Sequence, residues 1–264
     1  MQNPRETEFT AESPPILRVW PEPTIVHGFL GRRGGHSVGV YESMNLSQFV
    51  GDNPADVDAN WTRLRAMQPA GIIFARLNQV HGNAVRVVTR ANAAERPPAD
   101  GMATREAGVG LGIFTADCVP ILMTSPQSKV VCALHAGWRG VIAGIAGEGV
   151  RAMERLGAPV RDIRAALGPS IGPCCFEVDA PLADRFLAEI PAAVNHARDG
   201  RPGKAYLDLR GIVRAQLVES GLPADAIESA GPCTRCASDR YFSRRAAGGS
   251  TTGLQMSFAG FVGA

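Results

Sequence analysis

Three short segments carry side chains that could do chemistry together. Cys118 lies in Thr115-Ala116-Asp117-Cys118-Val119-Pro120, His135 opens His135-Ala136-Gly137-Trp138-Arg139-Gly140, and His81 lies in Asn78-Gln79-Val80-His81-Gly82. Two imidazoles and a thiolate suit a tetrahedral zinc ion whose fourth position stays open to water, the arrangement of catalytic rather than structural zinc. The same thiol and imidazoles would equally serve as a nucleophile with its base. The residues by themselves leave both readings open. A lone histidine is more often solvated or hydrogen-bonded than a ligand. His81 and His135 depart from that expectation because both stand next to glycine or a turn at the end of an apolar run.

The elements around these residues must bring them together. Residues 119–123 and 130–134 are short apolar runs that read as buried strands. Only residues 125–129 separate them, so they are expected to pair antiparallel, with Cys118 at the start of one beside His135 at the end of the other. His81 closes a further apolar run, 72–77, ahead of a strand at 85–88, while 99–102 reads as a turn. A strand is expected near residue 26, and helices at 55–67, 141–156, 181–190 and 209–220. Strands follow at 164–167 and 227–230, and a closing hairpin of 241–245 with 254–261. The glycines between 108 and 112 resemble a dinucleotide fingerprint superficially, but no helix follows them.

Composition narrows the classes. At 264 residues with a formal charge of +2, the chain can bury a full core and shows no basic block for nucleic acid or a membrane surface. All but two of its 27 basic residues are arginine, so a single arginine carries little functional weight by itself. No window approaches the about 18 apolar residues that span a bilayer. Residues 1–14 are polar and proline-containing, which predicts a disordered tail rather than a secretory signal, and a cytoplasmic protein with reduced thiols. No linker or internal repeat divides the rest, which reads as one domain. Pro232-Cys233-Thr234-Arg235-Cys236 matches half of a zinc deaminase signature but lacks its H-x-E partner. Cys174 and Cys175 are adjacent, and adjacent cysteines rarely share a metal. These four cysteines, and Cys132 within its strand, are read as structural thiols.

Five ordered motifs then carry a family likeness. The three segments above, with Leu167-Gly168-Pro169-Ser170-Ile171-Gly172 and Phe242-Ser243-Arg244-Arg245, resemble the YfiH-like family over about residues 25–258. That family is also called the laccase-domain, polyphenol-oxidase or peptidoglycan-editing-factor family. The resemblance implies an α/β (α+β) single domain over residues 15–264, with β-sheets layered between helices. It implies one zinc ion per chain on His81, Cys118 and His135, with copper as an alternative occupant. Residues 29–37 look like the family's F-T-T-R-x-G-G-x-S and place its arginine on Arg32; Asn45 matches the asparagine of its S-L-N-L. The chain departs from the pattern at Leu30-Gly31, at Ser243-Arg244, and at Leu254, where the family has arginine. No site role is therefore assigned to the C-terminal hairpin.

The activity implied is phosphorolysis of purine nucleosides (adenosine, inosine, extending to methylthioadenosine) with deamination of adenosine. The partners expected are a small nucleoside and phosphate, with no nucleic acid, membrane or obligate protein partner. Arg32 and Arg139 are the candidate phosphate clamps. Asp117 stands equally as a proton shuttle or as support for its neighbour Cys118. Three rivals remain: a copper-dependent polyphenol oxidase, a cysteine hydrolase of a cell-wall precursor with Cys118 as nucleophile, and a zinc-binding protein that is not an enzyme. The oxidase is disfavoured by arithmetic, since a laccase's copper centres call for many more than five histidines.

Overall fold

The computed structural model describes residues 16–263; the tail expected at 1–14 lies outside them. The first strands in chain order are β1 (Ile16–Leu17), β2 (Ile25–Leu30), β3 (Ile73–Ala75), β4 (Val85–Val87), β5 (Gly101–Thr104), β6 (Val109–Thr115), β7 (Val119–Ser125) and β8 (Val130–Ala136). They continue with β9 (Arg164–Leu167), β10 (Glu177–Asp179), β11 (Ala197–Asp199), β12 (Lys204–Leu207), β13 (Ile227–Ser229) and β14 (Gln255–Phe261). The helices are α1 (Pro54–Ala66), α2 (Trp138–Ile142), α3 (Ile145–Arg155), α4 (Ala180–Glu189) and α5 (Leu209–Glu219). Two sheets carry the architecture, one of five strands in the order β1-β2-β14-β6-β3 and one of six in the order β13-β9-β7-β8-β5-β4.

The apolar runs of β7 and β8 are continuous because both faces of the six-stranded sheet are covered. Side chains alternate across it: Val119, Ile121, Met123, Cys132 and Leu134 pack with Ile145, Val150 and Met153 of α3 and with α5. Leu122, Val131 and Ala133 face the other way, onto Phe29, Val109, Leu111 and Ile113 of the five-stranded sheet. The far face of that second sheet packs Val26, Leu30 and Phe258 on Val57, Trp61 and Leu64 of α1. The result is four layers, helices outside and two sheets inside, as the resemblance implied.

The antiparallel pairing of β7 and β8 places Pro120 opposite His135 and Val119 opposite Ala136. His135 shares the parity of Val131 and Ala133, and Cys118 that of Leu122, so both side chains point between the two sheets. The ADC segment is the crossing by which the chain passes from β6 in one sheet to β7 in the other.

Several elements differ from the sequence expectation. The helix at 141–156 is two helices, since Gly144 adopts φ 77° and ends α2 before α3 begins. Residues 99–102 open a strand, β5, because the N–H groups of Asp100 and Gly101 both bond to the carbonyl of Ala84 and β5 then pairs with β8. The closing hairpin does not form: β14 pairs with β2 and β6 instead. Phe242 is held by the side chain of Gln255, whose Oε1 accepts from its N–H at 2.7 Å and whose Nε2 donates to its carbonyl at 3.2 Å. A three-stranded sheet, β10-β12-β11, was not foreseen, its strands being short and largely half-buried.

His27 on β2 has a purely architectural place. Its Nε2 accepts from the N–H groups of Val19 and Trp20, both at 3.0 Å, which leaves Nδ1 to donate to the carbonyl of Ile25. Burial pulls its pKa down to about 4 from 6.5. Below 6.5 the unfolded chain therefore binds a proton that the folded ring refuses, and stability falls as pH drops from 6.5 toward 4, by up to about 3 kcal/mol. His27 should remain neutral at pH 5.5 when its ring resonances are followed by NMR, and a His27→Gln chain should lose less stability over this range. A ring titrating near 6.5 would contradict this.

Candidate metal centre and its cavity

The ligand-bearing atoms of His81, Cys118 and His135 lie within 4.8 Å of one another. The two imidazoles meet edge to face with centroids 4.8 Å apart. Gly137 stands against all three: a Cβ there would come within 2.8 Å of His81 Cδ2 and 3.2 Å of Cys118 Sγ. Only a residue without a side chain lets the turn after β8 pass so close to the ligands. His81 itself adopts φ 61°.

The residue that organises this geometry is Asp100, which the sequence reading placed in a turn and did not single out. Its carboxylate is fully buried and accepts from His135 Nδ1 at 2.8 Å. It also accepts from the backbone N–H groups of His81 at 2.9 Å, Gly82 at 2.7 Å and Val80 at 3.2 Å. One side chain thus fixes the tautomer of His135, leaving Nε2 free to ligate, and holds the loop that presents His81. Burial raises the Asp100 pKa, but the bonds from His135 and the loop N–H groups outweigh it and the net shift is downward.

The electrostatics fit a cation. Burial pushes the Cys118 thiol up, yet His135 and His81 outweigh it and bring it down to about 6, so the group is a thiolate at neutral pH. His135 is pushed the other way: burial lowers it, but Cys118 and Asp100 raise it to about 9. A divalent cation held between these groups would take the place of the proton that His135 otherwise carries. Two imidazoles and a thiolate form a three-donor set for a metal that keeps an open position.

The set lines a cavity of about 420 Å³, a volume that suits a small organic ligand. Leu77, Phe114 and Leu254 give it an apolar side, while Ser47, Thr115, Thr251, Thr252 and Arg244 give it polar groups. Thr115 Oγ1 is buried with no hydrogen-bond partner among the described residues. The C-terminal segment, to which no site role was assigned, is thus part of the wall, through Arg244, Thr251, Thr252 and Leu254. The FSRR motif was the available signal for Arg244.

Four other expected site residues do not line this cavity. Asn45 is fully buried, donating to Asp52 Oδ2 at 2.8 Å and accepting from the N–H groups of Ser47 and Leu254, so it shapes the cavity from outside. Asp117, at φ 94°, accepts from Thr234 Oγ1 at 2.6 Å and from the N–H of Arg245 at 2.7 Å; both its oxygens are engaged in holding the β6–β7 crossing. Arg32 donates to the carbonyls of Glu42 at 2.6 Å and Ser238 at 2.8 Å, lies over the Phe242 ring, and lines an adjoining cavity that shares Thr251 and Thr252. Arg139, on α2, is exposed and stacks on Trp138 with 4.3 Å to the ring centroid. Neither Arg32 nor Arg139 lines this cavity: carbonyl and ring contacts draw the Arg32 guanidinium aside, and the Trp138 ring that of Arg139.

Replacing Asp100 with Asn keeps its size but removes the charge and one acceptor. Metal affinity, measured by chelator competition on protein of unchanged circular dichroism, should fall about 10- to 100-fold. Wild-type affinity in Asp100→Asn would show that the carboxylate does not set the ligands.

The chain matches the family described as multi-copper polyphenol oxidoreductase laccase over residues 26–262. Over 248 residues it is 38% identical to a protein named purine nucleoside phosphorylase YlmD from Geobacillus stearothermophilus, covering 89% of each chain. The crystal structure of YlmD superposes with a TM-score of 0.87 at 34% identity, over 97% of this chain and 98% of that one. A Bacillus licheniformis protein, YfiH, superposes with a TM-score of 0.87 at 28% identity, over 98% and 100%. A protein named adenosine deaminase RL5, from an unknown prokaryotic organism, is 38% identical over 221 residues, 79% of this chain and 83% of that one. With its three-donor centre between two sheets and the family match spanning nearly the whole described structure, the chain belongs to the laccase-domain, YfiH-like family.

Proposed function

We propose that this chain is a zinc-dependent purine nucleoside phosphorylase that also deaminates adenosine. The observation that carries the reading is the three-donor set of His81, Cys118 and His135 at one wall of a cavity with an apolar side, a polar side and one arginine. The names of relatives at 38% identity support the same chemistry. A zinc ion held by the three residues would supply Lewis acidity and lower the pKa of a bound water, which deamination requires.

The chain's own groups do the rest. Phe114, Leu77 and Leu254 offer a surface for the purine plane, and the unpartnered Thr115 hydroxyl offers a hydrogen bond that a polar substrate group would complete. Phosphorolysis needs a cation for the attacking phosphate and stabilisation of the departing base. Arg244 is the arginine that lines the cavity, and its planar fork suits a phosphate; Arg32, next door across Thr251 and Thr252, is the reserve candidate. Asp117 acts on Cys118 through the backbone, as a positioning residue with no free oxygen for proton transfer.

The decisive measurement is turnover of adenosine and inosine with and without phosphate. Free base and ribose 1-phosphate should appear only with phosphate, whereas deamination of adenosine should proceed without it. Arg244→Ala should slow phosphorolysis about 100- to 1,000-fold and deamination much less, while His81→Ala should remove both. Base release that continues unchanged in phosphate-free buffer would make the protein a hydrolase.

The oxidase reading makes a separate demand. His27 is locked to backbone groups, His36 is exposed and His196 sits by Asp208, which leaves two imidazoles at the cavity for copper. The zinc form should therefore oxidise no phenols, and any signal should rise only as copper is added. Phenol oxidation at enzymatic rates by copper-free protein would refute this.

A further inference from the structure

A second group of metal-ligating side chains lies away from the cavity. Cys174 and Cys175 follow β9, Cys233 and Cys236 follow β13, and the four sulfurs lie within 4.8 Å of one another. The adjacency of Cys174 and Cys175 argued against a shared metal in the sequence; the fold removes that objection. β9 and β13 pair in parallel, so the loops that leave them run side by side, joined by a bridge between Ser170 and Cys233. A turn in which Cys175 and Phe176 both donate to the carbonyl of Gly172 then aims both neighbouring sulfurs at Cys236, at 3.6 Å for Cys174 and 3.4 Å for Cys175.

These separations are far from the about 2.05 Å of a disulfide. They approach the about 3.8 Å edge of a sulfur tetrahedron built on 2.3 Å zinc–sulfur bonds. We propose that Cys174, Cys175, Cys233 and Cys236 form a second, tetrathiolate zinc centre with a structural role. Four protein donors close the coordination sphere, so this site leaves no position for a substrate. Soft thiolates select a thiophilic cation over magnesium or calcium.

The surroundings suit such a centre. Backbone N–H groups of Gly172 and Cys236 point at Cys233. Zinc with four thiolates carries a residual double negative charge. Arg235 Nη1 donates to Cys175 Sγ at 3.4 Å, and the Arg210 guanidinium is held nearby by the carbonyls of Ala230 and Gly231. Cys174 and Cys236 are exposed, which gives the metal a way in.

The consequence reaches the other centre. Thr234 lies between Cys233 and Cys236 in the chain, and its hydroxyl bonds Asp117, the neighbour of Cys118. The N–H of Ile171 bonds the Asp117 carbonyl at 2.9 Å, and Ile171 belongs to the loop that carries Cys174. Clamping the two loops together therefore fixes two of the three supports of Asp117, the third being the N–H of Arg245.

The test is metal content of the full-length chain, purified anaerobically without chelator, and it stands independently of any nucleoside activity. Wild-type protein should hold two zinc ions, Cys174→Ser/Cys233→Ser one, His81→Ala/Cys118→Ser one, and the combined variant none. If the cysteine variant fails to fold, cobalt-substituted His81→Ala/Cys118→Ser decides. It should keep a strong sulfur-to-cobalt charge-transfer band, and its thermal midpoint should fall when that metal is stripped. One zinc in wild type with no loss in Cys174→Ser/Cys233→Ser would overturn the proposal. So would a disulfide among the four cysteines in anaerobic protein, absence of the cobalt band, or copper or iron in place of zinc.

Discussion

The buried carboxylate of Asp100 is the constraint on which the centre depends. A charge with no access to water is tolerated only when its oxygens are matched by donors. Here three loop N–H groups and one imidazole meet it. None of those donors can be moved alone: the loop of His81 is folded around the carboxylate, and His135 is fixed at the end of β8 by a ladder that also pairs β5 through Asp100's own carbonyl, at 2.7 Å. The alignment of two histidines from distant parts of the chain thus follows from satisfying one acceptor. Cys118 adds a second negative charge within reach of His135. Two anions around one imidazole leave the region short of positive charge, and a metal is the group that supplies it without a proton.

The two sheets explain why the ligands converge where they do. Side chains from the two inner faces interdigitate to form the core, and polar groups gather where the chain crosses from one sheet to the other. The ADC crossing is such a place. Its left-handed Asp117 is a conformation that a non-glycine residue holds only when the surroundings overdetermine it. Thr234 and Arg245 do so from a segment more than a hundred residues later in the sequence. The C-terminal stretch therefore acts on the centre twice, as the outer wall through Arg244 and Leu254 and as the brace of the crossing.

What could be read from the sequence divides along the same physical line. The β7–β8 pair was legible because its runs are apolar on both faces and its connection is short, so local pattern and tertiary environment agree. The grouping of His81, Cys118 and His135 was legible because they stand at the ends of those runs, and five ordered motifs then pointed to the family. Asp100 was not, since Asp-Gly is a strong local turn signal and only the Ala84 carbonyl, supplied by a neighbouring loop, turns it into the start of a strand. Arg32 and Arg139 were expected at the cavity from motif position alone. Where a guanidinium goes is decided by the carbonyls and rings it finds, at Glu42, Ser238, Phe242 and Trp138, none of which a linear motif specifies. Gly144 shows the converse case, a local signal inside a helical pattern that did decide the structure by ending α2.

The two cysteine-bearing regions of this chain place the same element under opposite demands. At Cys118 the thiolate has two imidazole neighbours and faces a cavity, so a metal held there would keep a position open to a bound molecule. Around Cys233 the sulfurs face one another, with Arg235 donating to one of them. Neutral imidazole donors leave a divalent cation net positive with one thiolate, able to polarise a substrate, whereas four thiolates overcompensate it and quench that capacity. Ligand charge, more than ligand geometry, therefore separates a centre that can act on a bound molecule from one that can only hold the chain around it.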